Sequence, residues 1–232
     1  MKCTTLLGVA SVLAVAATTN AALVYGGGTQ TSTRFNPGQT GVISYMNCFV
    51  DTSGGGTQLQ IDNVTAGIRR LVSAGALVDV GLNIYVAEMT FDGTDFGRGA
   101  QTMIYSTNSL GAGNATLTQL VSANTNTLVN LEMTSNGPNL GGFWVGVEFT
   151  GANATNAANG WRVMTAPTTG ASINGFGMYN YNASGTFDAF YTFTGATDNR
   201  FMVDVSGTVV PAPGALALLG VAGLVGGRRR RA

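Results

Sequence analysis

The side chains that could do chemistry in this chain are mostly carboxylates. Eight aspartates and three glutamates are present, and all lie between residues 23 and 210. Glu88, Glu132 and Glu148 each fall in or at the end of a strand-like run. Two of them facing one another roughly 5–10 Å apart would suit glycoside hydrolysis; the plainer reading leaves each one solvated on an outer sheet face. Acids cluster once, in residues 91–99, FDGTDFGRG. There Asp92 and Asp95, helped by backbone carbonyls, are a candidate for Ca²⁺, which takes oxygen ligands in irregular loops. The stretch lacks the closing bidentate Glu of a dedicated calcium loop, and Asp-Gly is also a strong signal for a tight turn between strands. No metal site and no cofactor is expected.

Absences narrow the field further. The chain has no histidine, which removes Ser-His-Asp and Cys-His catalysis and imidazole-ligated zinc. Its one lysine is Lys2. Cys48 is the one cysteine besides Cys3 and reads as a small buried apolar residue, with a reactive or intermolecular thiol as the alternative. Gly-rich pieces such as residues 111–113 are turns, since no helical pattern follows them. A late group of aromatics, Phe176, Tyr179, Tyr181, Phe187, Phe190, Tyr191 and Phe193, offers either core packing or, on an outer sheet face, stacking platforms for sugar rings.

The elements that must carry these residues are strands. Thirty-four glycines and many Asn, Thr and Ser separate short apolar runs, and several runs alternate with period two. Leu59 and Ile61 alternate; so do Val78, Val80, Leu82, Ile84 and Val86. Leu117, Gln119 and Val121 share a face, and Val129, Leu131 and Met133 form a set. Phe143, Val145, Val147 and Phe149 are the cleanest set, with Trp144, Gly146 and Glu148 opposite; Phe201, Val203 and Val205 close the series. No helical period is sustained. The expectation is an all-β domain of around ten short strands over residues 23–210, an antiparallel two-sheet β-sandwich, jelly-roll-like. Residues 26–28 should be a flexible start and residues 54–56 a hairpin turn.

The two ends read as addresses. Residues 1–22 predict a secretory signal peptide: Lys2, then a 12-residue apolar stretch over residues 6–17, then small residues. Residues 211–232, PAPGALALLGVAGLVGGRRRRA, run in order through a Pro-Gly turn, an uncharged stretch and four arginines. As a helix, residues 214–227 would be roughly 21 Å long against a hydrocarbon core of roughly 30 Å. Leu216, Leu218, Leu219, Val221, Leu224 and Val225 together favour insertion by about 2–4 kcal/mol, a marginal anchor. Arg228, Arg229, Arg230 and Arg231 would act as a cytoplasmic stop. Lys2 and these arginines account for five of the eleven basic residues, so the segment between the ends carries six arginines against eleven carboxylates, a net of −5. Such a body argues against nucleic acid as a partner.

The order of parts in residues 211–232 resembles the PEP-CTERM sorting signal of exported Gram-negative bacterial proteins, with Ala212 where that family has Glu. The resemblance covers about the last tenth of the chain. It implies recognition of Pro211, Pro213 and Gly214 by an exosortase-type enzyme, transient anchoring in the inner membrane, and a destination at the cell surface or in the extracellular matrix. It further implies a non-catalytic structural or adhesive role in an exopolysaccharide or biofilm context, with exopolysaccharide a possible partner. An unprocessed tail anchor and a hydrophobic C-terminal helix of a soluble domain are the alternative readings of the same residues. For the body, the alternatives are a carbohydrate-binding module and a carboxylate-dependent glycan-cleaving enzyme.

Overall fold

Runs of alternating apolar residues become strands because their side chains fall on opposite faces of a pleated backbone. The computed structural model describes residues 21–133, 138–173, 175–180, 187–191 and 200–211. In chain order the strands are β1 (Ala22–Tyr25), β2 (Gln30–Phe35), β3 (Ile43–Asp51), β4 (Gly56–Arg70), β5 (Val72–Ser73) and β6 (Ala76–Leu77). Next come β7 (Gly81–Phe91), β8 (Phe96–Thr107), β9 (Leu117–Asn130), β10 (Glu132–Met133) and β11 (Leu140–Thr150). The series ends with β12 (Asn159–Met164), β13 (Phe176–Tyr179), β14 (Phe187–Tyr191), β15 (Arg200–Phe201) and β16 (Val203–Pro211). The fold is all-β and antiparallel, with no helix among the described residues.

Two seven-stranded sheets account for nearly all of it, leaving only the small β5–β6 ribbon. In the first sheet β4 is central. Residues 58–66 of β4 pair with both β16 and β9, so these two occupy its opposite edges, and β12 takes over from β16 at residues 68–70. β1 flanks β16, while β2 and β15 pair with β12. The second sheet runs β14-β13-β3-β11-β7-β8, with β10 on β11.

The facing sides of the two sheets share one hydrophobic core. β4 supplies Leu59, Ile61, Val64, Ala66 and Ile68; β3 supplies Met46, Cys48 and Val50; β11 supplies Phe143, Val145, Val147 and Phe149. The inward set on β4 changes from odd to even numbers at Asp62. The pairings with both β9 and β16 shift register there, as a bulge requires. Trp161 and Phe201 stack at 4.3 Å between ring centroids, and the Trp161 indole N–H donates to the Met202 carbonyl at 2.9 Å. Cys48 is buried and unbridged within this core, and burial pushes its thiol up from the ordinary value.

Several expectations need correction. The strands are longer and more numerous than ten short ones; β4 has 15 residues and β9 has 14. Residues 54–56 do turn, with the Gly55 N–H on the Thr52 carbonyl and φ at 77°. They join strands of different sheets, so the turn is a corner and not a hairpin. Residues 26–28 are not a loose start: Gly26 exchanges backbone hydrogen bonds with Thr168 and Thr169, and the Gly27 N–H donates to Asp204 at 2.8 Å. Met133 leaves the set of Val129 and Leu131, because the chain crosses to the second sheet after Asn130 and pairs Met133 with Gly141. The largest revision concerns the outer face of the second sheet. Ile43, Tyr45, Phe49, Ala87, Met89 and Trp144 form a second buried cluster there.

Candidate functional site

That outer face gathers several of the chemistry-bearing residues. Strand alternation sends Phe143, Val145 and Val147 inward, so Trp144, Gly146 and Glu148 must point outward. Register then decides the neighbours. One row across the face reads Tyr179, Ile43, Glu148, Asn83 and Ser106; the next reads Gly177, Tyr45, Gly146, Tyr85 and Met103. The Tyr45 ring lies over Gly146, where a Cβ would come within 2.6 Å of the ring. From there its hydroxyl reaches across the sheet to donate to the Gln101 side chain.

Glu148 is held by its row. The Tyr85 hydroxyl donates to Glu148 Oε2 at 2.6 Å and Asn83 Nδ2 donates to the same oxygen at 2.9 Å. Burial first, and then the bond and charge of Glu148, push the Tyr85 hydroxyl up to about 12. At neutral pH the phenol therefore keeps its proton and serves as a donor. The Arg98 guanidinium sits 4.1 Å above the Tyr179 ring, a cation–π contact. The Trp144 indole N–H donates to the Gly97 carbonyl at 2.8 Å, so the start of β8 folds over the indole and takes it out of reach as a stacking platform. At the far end of the face, Phe49, Leu140, Ala171, Ser172 and Ile173 line an open hollow of about 240 Å³. The arrangement offers a fixed carboxylate acceptor, phenol and amide groups, a guanidinium and an aromatic ring on one side of one sheet.

The three glutamates are not gathered into one site. Glu88 and Glu132 stand beside consecutive positions of β11, Phe143 and Gly142, which point to opposite faces. Glu88 turns to the rim between the sheets, where Asn130 donates to it at 2.5 Å. Glu148 lies six residues further along β11 than Gly142, about 20 Å away. Asp92 caps its own turn: its Oδ1 accepts the N–H groups of Thr94 and Asp95, both at 2.8 Å, in the β7–β8 hairpin. Those backbone donors hold its carboxyl below the usual carboxylate range. No group of three or more His, Cys, Asp or Glu side chains able to hold a metal occurs among the described residues.

Of the late aromatics, Phe176 packs in the core against Phe35, Phe201 and Tyr191, while Tyr179 faces outward. Phe187 and Phe190 lie on β14, but their side chains are outside the described set, as are Tyr181 and Phe193 altogether. The signal-peptide residues 1–20 are also outside it, as are Pro213, Gly214, the anchor residues Leu216, Leu218, Leu219, Val221, Leu224 and Val225, and Arg228 to Arg231. Pro211 is described and ends β16, exposed.

The molecule is thus an all-β, antiparallel protein with an aromatic and polar outer sheet face. No protein-family model matches the chain, and no similarity to a curated protein or to a solved structure was found.

Proposed function

We propose that this chain is an exported cell-surface or extracellular-matrix protein, a jelly-roll-like β-sandwich that acts by binding and not by turnover. It is sorted through residues 211–232 by an exosortase-type enzyme at the inner membrane. The observation that carries this reading is the order turn, uncharged stretch and four arginines behind an N-terminal export signal. One described feature supports the reading: β16 lies beside β4 in the first sheet and ends at Pro211, the first residue of the tag, which is exposed. The sandwich topology is supported by the shared core and by connections such as β3 to β4, β8 to β9 and β11 to β12, each of which changes sheet. The test is the intact mass of the native protein from envelope and culture medium. Loss of about the first 21 residues and of everything beyond the Pro211 region is the expected result. A mass that retains Arg228 to Arg231 refutes the sorting step.

A second reading, a carbohydrate-binding module, is favoured by one specific observation. Glu148, Asn83 and Tyr85 form a pre-set hydrogen-bonding group in the same row and the next row as Tyr179 and Tyr45. Titration with neutral polysaccharides, followed by tyrosine and tryptophan fluorescence, separates it from a purely structural role. A glycan-cleaving enzyme would instead release reducing ends, and release would stop in one of Glu88→Gln, Glu132→Gln or Glu148→Gln.

A further inference from the structure

Three of the six arginines between residues 23 and 210 meet on the outer face of the first sheet. Arg34 on β2 stands directly opposite Arg162 on β12, and Arg69 on β4 stands opposite Gly160 of the same strand. Directly opposed residues have Cβ atoms about 5 Å apart, and the like charge that acts on Arg162 is Arg69. Gly160 makes the approach possible, since a Cβ there would come 3.0 Å from Arg34 Cγ and 2.8 Å from the Phe35 carbonyl oxygen. The inward neighbours Trp161 and Ile68 are buried, so alternation sends the three arginines outward.

Nothing among the described residues neutralises them. The ion pair found there is Arg70 with Asp79, away from this cluster. Arg34 commits Nε and Nη2 to the Ala157 carbonyl at 2.9 and 2.6 Å. Arg162 commits Nε to the Thr31 carbonyl at 2.7 Å and Nη1 to the Thr118 hydroxyl. The Arg69 side chain makes no hydrogen bond among the described residues, and its Nε is buried without an acceptor. A guanidinium has five N–H donors, so most donors of the cluster are uncommitted. Burial, and then the charge of Arg69, hold Arg162 below its ordinary pKa. Each of the three side chains is only half-buried, so the cluster is open to solvent on one side.

We propose that Arg34, Arg69 and Arg162 form a binding site for the carboxylate groups of an acidic polysaccharide. Guanidinium forks match carboxylates bidentately, and an anion would relieve the repulsion built into the sheet. Along the same face, β4 and β9 present Thr118, Ser122, Asn124 and Asn126 beside Thr65, Asn63 and Gln60. These neutral groups suit sugar hydroxyls more than a second dense row of charges. The choice of a polysaccharide as carrier rests on the matrix reading above; the oxyanion site itself rests on the arginines.

The purified full-length protein is titrated with polygalacturonate, with neutral dextran of similar length, and with a single-stranded oligonucleotide. Polygalacturonate should bind, more weakly as salt rises, and dextran should not. Arg34→Gln and Arg162→Gln should each weaken binding about tenfold or more, the value of one lost charged hydrogen bond. Arg69→Gln should do the same, and it removes no hydrogen bond the fold uses, so impaired folding cannot mask the result. Thr102→Glu, an equal change of charge on β8, should leave binding intact, as should replacing Arg228 to Arg231 by Gln. No binding of polygalacturonate, equal binding of dextran, tighter binding of the oligonucleotide, or indifference to the three variants overturns the proposal. Loss of binding only in the tail variant overturns it too. The intact-mass measurement reads the tail alone, so the sorting step and the arginine site fail independently.

Discussion

Arg70 sits at the end of β4, is 1% exposed, and spends its guanidinium on segments that leave and re-enter the sheets. Nη2 donates to the carbonyls of Val78 at 3.0 Å and Gly111 at 2.6 Å; Nη1 donates to the Leu110 carbonyl at 2.9 Å and to the Gln119 side chain at 3.2 Å. One side chain thereby ties the approach to β7 to the loop between β8 and β9. Arg70→Met keeps an unbranched stem and removes every donor. A hydrogen bond to a charged group is worth about 1.5–3 kcal/mol. Water can replace the arginine at exposed Gly111, while Leu110 and Val78 are partly covered. The Asp79 pair, at 3.8 Å with the Asp79 side chain 45% exposed, adds little. Relief from burying a charge offsets part of the loss. The balance is a destabilisation of roughly 2–4 kcal/mol, which moves a urea midpoint by about 1–2 M. Amide exchange at residues 109–113 should quicken before global unfolding. A variant within about 0.5 kcal/mol of the parent, with an unchanged slope, would show that water satisfies those carbonyls and that the guanidinium does not organise the loops.

Gly146→Ala should push the Tyr45 ring off the sheet, break its bond to Gln101 and cost about 1–3 kcal/mol; an unchanged near-ultraviolet circular dichroism spectrum would contradict this. Tyr25, Tyr45 and Tyr85 all carry hydroxyls raised by burial, Tyr85 to about 12. Below about pH 10 both folded and unfolded tyrosines keep their protons, so this stabilisation is whole; above that the unfolded chain ionises first, and stability should fall as pH climbs to about 12. Urea midpoints read against phenolate absorbance check the window, and Tyr85→Phe should fall less steeply. On the acid side, Asp51 and Asp92 are lowered by backbone N–H donors in their turns. Their contribution is present above about pH 4 and lost below it, so Asp92→Ala should shrink the acid loss in the same titration.

Much of the architecture was legible because it is local. The set Phe143, Val145, Val147 and Phe149 points inward as its alternation demands, and Asp92-Gly93 makes the hairpin that its turn chemistry suggests. The candidate site was half legible. Trp144 and Glu148 were correctly placed on the outer side of their strand, but the solvated surface expected there is a second apolar cluster. Its cover comes from the start of β8 and from residues near 171–173, segments whose own sequence carries no sign of that role. The arginine cluster had no linear signal, since Arg34, Arg69 and Arg162 stand far apart in the chain.

By itself the sequence determined an all-β domain, the inward residues of its cleanest run, Phe143, Val145, Val147 and Phe149, the lack of imidazole chemistry, and the order of parts in residues 211–232. Each depends on composition or on neighbours within a few residues. Tertiary structure decided which sheet each strand joins, that Tyr179 and Glu148 share a row, and that three arginines converge around Gly160. The physical reason is that backbone pairing sets cross-strand neighbours. One residue of register reverses a face, and that register is chosen by the whole buried core, not by any one segment.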